Sequence, residues 1–214
     1  MKKIVFMGDS ITDCYRPYED DRFLGSGYPE FVKGELNYKY GDEYQLLNRG
    51  ISGNRTSDLY ARIKLDAINL KPDYFSLLIG VNDVWHEIDY KNGISADKYE
   101  RLYELLIETV KEALPDIKIF ILEPFVLEYT ATENTEQIPD RWNLFNTGVR
   151  EHAAVAKKVA EKYGLTFIPL QAKMEEEVSR LGIAAVSEDG VHPTAAGHFI
   201  IAREWLKAFE DQIV

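Results

Sequence analysis

A single cysteine, Cys14, stands in 214 residues, so no internal disulfide framework and no Cys-rich zinc site can be built. No apolar run approaches the ~20 residues needed to cross a bilayer. Positive charge is scarce too: Lys and Arg number 25 against 36 Asp and Glu, a formal net charge of −11. Nucleic-acid binders carry a basic excess or stripe, so neither nucleic acid nor a membrane is expected as a partner. Several enzyme signatures are also missing. There is no Gly-x-Ser-x-Gly elbow, no P-loop and no His-Glu-x-x-His zinc motif. Gly25-x-Gly27 lacks the third glycine of a dinucleotide fingerprint and follows no strand. Neither metal nor cofactor is expected. With 45% hydrophobic and 29% charged residues, the composition supports an ordinary globular core.

What is present is an alternation. Short apolar runs at Ile4–Met7, Tyr44–Leu47, Tyr74–Ile79, Ile117–Leu122 and Leu165–Pro169 read as strands. Their near-continuous Val, Ile, Leu and Phe content suits a parallel sheet covered on both faces. Helical spacing fills the gaps at Tyr28–Leu36, Ser57–Leu70, Ala96–Leu114, Arg141–Tyr163 and Ala195–Phe209. Ser95 is the expected N-cap of the third helix, with Leu102, Leu105, Leu106 and Val110 on its apolar face. Gly164 should stop the fourth. The pattern predicts βαβ units in a three-layer, doubly wound α/β fold, with one domain over 1–214. The polar stretch from Glu128 to Asp140 reads as a surface loop over one sheet edge. Ile4–Met7 is shorter than the apolar region of about 7–15 residues in a secretory leader. It is read as a buried first strand, and the protein is expected in the cytoplasm.

In such a fold the ligand crevice lies beyond the carboxyl ends of the strands. The first strand is followed by Gly8-Asp9-Ser10-Ile11-Thr12, the second by Asn48-Arg49-Gly50-Ile51-Ser52-Gly53-Asn54-Arg55, and the third by Gly80-Val81-Asn82-Asp83. Asp189-Gly190-Val191-His192-Pro193 precedes the last helix. A hydroxyl, several hydrogen-bond donors and an Asp/His pair should therefore converge, which are the components of acyl transfer. Each has a bland reading as well. Ser10 could be a helix N-cap, Asn82 and Gly53 turn residues, and Asp189-x-x-His192 part of a solvated loop. Cys14 reads as a packed helix residue and His198 as a core-facing histidine; His86 is a candidate for the pocket wall.

Taken together, the four blocks resemble the SGNH hydrolases, also called the GDSL esterase family. The residues that carry the likeness are Gly8-Asp9-Ser10, Gly53, Gly80-x-Asn82-Asp83 and Asp189-x-x-His192-Pro193, in the family's order and across nearly the whole chain. The resemblance implies a flavodoxin-like α/β/α sandwich on a mostly five-stranded parallel sheet. It implies Ser10 as nucleophile, His192 as base and Asp189 as its orienting partner. It further implies an oxyanion hole from the Ser10 and Gly53 N–H groups and the Asn82 side chain.

Asp9-Ser10-Ile11-Thr12-Asp13-Cys14, Gly50-Ile51-Ser52-Gly53-Asn54, Ile79 through Trp85 and Val191-His192-Pro193 are similar to the intracellular acetylxylo-oligosaccharide esterases of that family. That likeness implies an acetylated sugar as the small-molecule substrate, and a homo-oligomer. Asp9, Arg55, Trp85 and Tyr15 stand as candidate substrate-binding residues. Tyr18, Phe23 and Trp142 are further aromatic faces that could stack on a sugar or merely fill core. A lysophospholipase or thioesterase, or a non-enzymatic sugar- or lipid-binding domain, are the alternatives.

Overall fold

The computed structural model describes residues 1–213, the last of them by its backbone. Five parallel strands, β1 (Lys2–Gly8), β2 (Tyr44–Gly50), β3 (Tyr74–Leu78), β4 (Lys118–Leu122) and β5 (Thr166–Ile168), lie in the order β2-β1-β3-β4-β5. Successive side chains of a strand point to opposite faces, so an all-apolar strand must feed two cores. Ile4 and Phe6 of β1 enter one core and Val5 and Met7 the other; Phe120 and Leu122 part from Ile119 and Ile121 in the same way on β4. The first core is closed by α2 (Tyr28–Tyr40) and α9 (Ala195–Ile213), through Tyr28, Val32, Trp205 and Phe209. The second is closed by α3 (Thr56–Asp66), α5 (Ala96–Ala113) and α6 (Arg141–Tyr163), through Leu59, Ile63, Tyr103, Ile107 and Val159. The result is a three-layer α/β/α sandwich with helices on both sides of the sheet, and each fully buried large side chain stabilises it by about 1.5–3 kcal/mol.

The remaining helices lie outside the five helical stretches expected above. They are α1 (Ser10–Asp13), α4 (Val81–Tyr90), α7 (Gln171–Leu181) and α8 (Ile183–Val186). On α5 the buried face is Tyr99, Tyr103, Leu106, Ile107 and Val110, and Leu105 is exposed, contrary to expectation. Tyrosine fills a core stripe as well as leucine does, which shifts the face. Ser95 stands at the N-cap of α5 but makes no side-chain cap; its hydroxyl bonds Asp97 Oδ1 at 2.5 Å instead. Gly164 ends α6 in the left-handed conformation, as expected. No helix among the described residues is long and apolar enough to cross a membrane.

What positions the site is the seat of α1. This single turn lies directly on the ends of β1, β2 and β3. A Cβ on Gly8 would fall 2.3 Å from Thr12 Oγ1 and 2.4 Å from the Leu78 carbonyl oxygen, and one on Gly50 would fall 2.2 Å from the Asp13 backbone nitrogen. Gly50→Ala should therefore push α1 off the sheet and cost about 1–3 kcal/mol, the usual penalty of overpacking. Gly34→Ala is the control, because nothing lies within 4 Å of its Cβ position and helix propensity alone favours it by about 0.5–1 kcal/mol. Urea unfolding of the two variants checks the contrast, and equal midpoints would refute the close-packing account.

Candidate active site

Ser10 is the first residue of α1, and Asp9 is the N-cap, its Oδ1 accepting from the Ile11 N–H at 3.0 Å. Ser10 is thus free of capping duty, and its Oγ lies 3.0 Å from His192 Nε2. His192 Nδ1 stands 2.7 Å from Asp189 Oδ2. Because a carboxylate can only accept there, the ring proton sits on Nδ1 and the Nε2 lone pair faces the Ser10 hydroxyl. Asp189 Oδ1 meanwhile accepts from the backbone N–H groups of Val191 and His192, each at 2.8 Å. Burial pushes the Asp189 carboxyl up, but its bonds to His192 and Val191 outweigh this and leave it below the usual range. The same bond to Asp189 raises His192 above its ordinary value, against the opposing effect of burial.

The loop carrying this pair is held from several directions. Ser187 Oγ donates to the His192 carbonyl at 3.0 Å and accepts from Gly190 N–H at 2.8 Å. The Gly190 carbonyl accepts from Leu127 N–H and the Asp189 carbonyl from Ala131 N–H, both at 2.8 Å. The stretch read from sequence as a plain surface loop is therefore in part a buttress, with Thr132 fully buried and bonded to the Leu127 carbonyl at 2.7 Å.

The expected oxyanion donors come together beside Ser10. Gly53 has φ +80, a conformation that favours glycine, and its absent Cβ would meet nothing within 4 Å. Its neighbour Ser52 is anchored by backbone and hydroxyl bonds to Asp13 Oδ2 on α1, both 3.0 Å. Asn82, on the first turn of α4, donates from Nδ2 to the Asn54 carbonyl at 3.1 Å, which leaves its second amide hydrogen for the cavity. Asp83 next to it accepts from Thr56 N–H and Oγ1–H at 3.2 Å and so clasps the far end of the same loop.

Ser10, Gly53, Asn82 and His192 open on one cavity of about 410 Å³. Of the four candidate substrate-binding residues, Tyr15 and Trp85 line it and Asp9 and Arg55 do not. Asp9 is buried beneath Ser10. Arg55 is occupied at the start of α3, where it bonds Asp58 and the Asn92 carbonyl. Trp85 lies 6.0 Å from the His192 ring, with its indole N–H on Asp89 Oδ2 at 2.7 Å. His86 lines the wall. Tyr18, Phe23 and Trp142 are outside it. Cys14 is not packed in a helix: it is the left-handed C-cap of α1 and lines the cavity with His198, whose Nε2 lies 3.3 Å from its sulfur. His198 is buried, as expected, and burial pushes it down to about 4. Sequence reasoning passed over Tyr90 and Glu188, which also line the cavity. Tyr90 could have been found from the spacing of Val81, Val84, Trp85 and Ile88, which marks α4 and the turn on which Tyr90 ends it. Among the described residues no Lys or Arg lines the cavity, and no cluster of His, Cys, Asp and Glu could hold a metal.

The chain matches the GDSL-like lipase/acylhydrolase family over residues 6–200. It is 38% identical to an acetylxylan esterase of Geobacillus stearothermophilus, over 96% of this chain and 93% of the relative. The crystal structure of that organism's acetylxylan esterase Axe2 superimposes with a TM-score of 0.81 at 36% identity, over 97% of this chain and 93% of the other. Axe2 has also been solved as two catalytic mutants, one with a serine and one with an aspartate replaced by alanine. A Parabacteroides merdae structure assigned as a GDSL-like lipase superimposes with a TM-score of 0.90 at 33% identity, over 98% of this chain and 95% of that one.

Two buried acids lie under this site. Burial raises Asp9 to about 7 and Asp83 to about 8, and Asp9 Oδ2 has no hydrogen-bond partner. A carboxyl with a raised folded-state pKa binds a proton in the native chain that the unfolded chain, with its ordinary pKa of about 4, has already lost. Stability from these groups is thus fully present below pH 4 and declines as pH rises toward 8. Asp83→Asn keeps an acceptor for Thr56 and removes one of the two ionisations. Its urea midpoint should fall less between pH 5 and 8 than that of the unmodified chain. A steeper fall in the variant would mean that Asp83 is ionised in the fold.

Proposed function

Because this chain belongs to the GDSL-like lipase/acylhydrolase family and is a carboxylic ester hydrolase, we propose that it removes acetyl groups from neutral oligosaccharides through a Ser10 acyl-enzyme. The observation that carries the reading is the unbroken relay from Asp189 through His192 to Ser10, at 2.7 and 3.0 Å, opening on a cavity with no Lys or Arg among its described lining residues. His192 Nε2 takes the Ser10 proton as Oγ attacks the ester carbonyl. The oxyanion that forms is received by the Ser10 and Gly53 N–H groups and by Asn82, and one such donor is worth roughly 100- to 1,000-fold in turnover. Imidazolium then protonates the departing sugar hydroxyl. Water, deprotonated by the same nitrogen, attacks the acetyl-enzyme; the tetrahedral adduct collapses as imidazolium returns its proton to Ser10 Oγ, and the acetic acid released loses its proton to solvent as acetate. The serine and aspartate replaced in the catalytic mutants of Axe2 support the same two residue types here.

The substrate half rests on the 38% identical acetylxylan esterase and on the cavity. An acetyl ester asks for little apolar volume, and a long acyl chain would ask for a broad apolar groove. A phospholipid or nucleotide thioester would bring phosphates, which find no Lys or Arg on the cavity wall. Acetylated xylo-oligosaccharides are the substrate class proposed.

The test compares acetate release from acetylated xylo-oligosaccharides with hydrolysis of aryl acetate and aryl octanoate, Ser10→Ala serving as blank. Acetyl substrates should win; octanoate turned over faster than acetate would overturn the deacetylase reading in favour of a lipase-like one. The acid limb gives a second check. The base must be neutral, and Asp189 holds His192 above its ordinary 6.5. On lowering the pH, kcat/KM should therefore fall with an inflection above 6.5, and Asp189→Asn should move that inflection down. A profile that stays flat through pH 6 would remove His192 from the base role.

A further inference from the structure

Two large side chains at the cavity serve neither the core nor the relay. Tyr15 is 85% exposed and Tyr90 70% exposed, and both line the cavity that holds Ser10. Aromatic surface left in water at the rim of a cleft is informative in a way that a scattered exposed residue is not.

Tyr15 is also held in an uncommon backbone state. Cys14 and Tyr15 are consecutive non-glycine residues at φ 37 and φ 62, a region that bulky side chains rarely enter and that persists only where the surroundings over-determine it. The surroundings here do so. Ser26 N–H donates to the Cys14 carbonyl at 2.7 Å and Arg16 N–H to the Asp13 carbonyl at 3.0 Å. Gly25 packs so closely that a Cβ there would sit 2.5 Å from the Cys14 carbonyl oxygen. This turn presents the Tyr15 ring at the cavity. Tyr18, three residues on, is by contrast engaged: its hydroxyl bonds Asp13 Oδ2 at 2.6 Å and its ring lies 4.0 Å from the Arg16 guanidinium carbon. Tyr90 is presented from α4, its ring edge-to-face with His86 at 5.5 Å between centroids.

We propose that Tyr15 and Tyr90 form a carbohydrate subsite beside the acyl site, binding a neutral pyranose unit of the oligosaccharide next to the one that carries the ester. The proposal rests on the deacetylase reading. A pyranose offers C–H faces to an aromatic ring and hydroxyls to an acceptor, and the cavity supplies both, the acceptor being the exposed carboxylate of Glu188. With no Lys or Arg on the wall, the subsite selects against uronic acids. It makes an acetylated oligosaccharide a better substrate than an acetylated monosaccharide.

The test uses unacetylated xylo-oligosaccharide as an inhibitor of aryl acetate hydrolysis, so its readout does not depend on the natural ester. The unmodified enzyme should be inhibited competitively. The inhibition constant should rise roughly five- to tenfold in Tyr15→Ala and in Tyr90→Ala, the size of an aromatic contact. It should stay within about twofold in Tyr15→Phe, which keeps the ring. No inhibition of the unmodified enzyme, or constants unmoved in both alanine variants, would overturn the subsite. A shift of the alanine variants to a smaller species on size exclusion, with inhibition unchanged, would assign the rings to a contact between copies and also overturn it. Acetate release from acetylated xylo-oligosaccharides is measured alongside. Release without inhibition sinks the subsite alone, whereas inhibition without release sinks the deacetylase reading and upholds the subsite.

Discussion

The seating of one helical turn on the bare ends of three strands is the constraint from which the site follows. Gly8 and Gly50 have no side chain because α1 occupies the space where one would go. The contact is sealed by polar groups of the neighbouring strand and turn. Asn48 on β2 donates to the carbonyls of Thr12 and Leu24 at 2.6 and 2.7 Å, and Arg16 Nε donates to the Gly50 carbonyl at 2.7 Å. Ser10 therefore starts a helix whose position is set by backbone packing rather than by a flexible loop. If Ser10 is the nucleophile proposed above, an oxygen placed that way loses little freedom when it attacks.

From that seat the remaining groups are placed by bonds that cross between elements. Asp13 on α1 holds Ser52, and so the Gly53 turn; Asp83 on α4 holds Thr56 at the other end of the same loop. Asn82 closes the ring by donating to Asn54. The His192 loop is tied to Leu127 and Ala131 through two backbone carbonyls. Donors fixed in advance need no reorganisation as charge develops, which is what the oxyanion hole proposed here requires. Burying Asp9 and Asp83 beneath these donors costs stability at neutral pH and above, a pattern common where function rather than stability sets the residue.

The sheet and its five long helices were legible because their signals are local: continuous apolar strands, helical spacing and a terminal glycine at Gly164. The four motif blocks were legible because each follows a strand end or opens the last helix. What was not legible depends on tertiary contact. A four-residue helix such as α1 has too few residues to show a period, and α7 buries Gln171 and Glu177 beside Met174, so its buried face is mostly polar. The role of Asp13 as an anchor for Ser52, and of the 127–132 stretch as a buttress, exists only once distant segments meet. Asp9 and Arg55 stood beside motif residues in sequence yet point elsewhere. Asp9 caps α1 from within the fold and Arg55 opens α3, because adjacent residues at a strand-to-helix turn face different ways.

The acidity noted at the outset acquires a location. Of the 36 acidic side chains, Asp189 bonds the His192 ring and Glu188 faces the cavity beside it, both raising His192. Asp9 and Asp83 sit beneath, pushed up by burial to about 7 and about 8. Among the described residues no Lys or Arg lines the cavity to balance them. A carboxylate formed by ester hydrolysis meets no cation there, so the field of the site favours its departure, while a neutral ester pays no such penalty on entry. In the proposed mechanism, the field that raises His192 and so favours its taking the Ser10 proton also separates a neutral substrate from its anionic product.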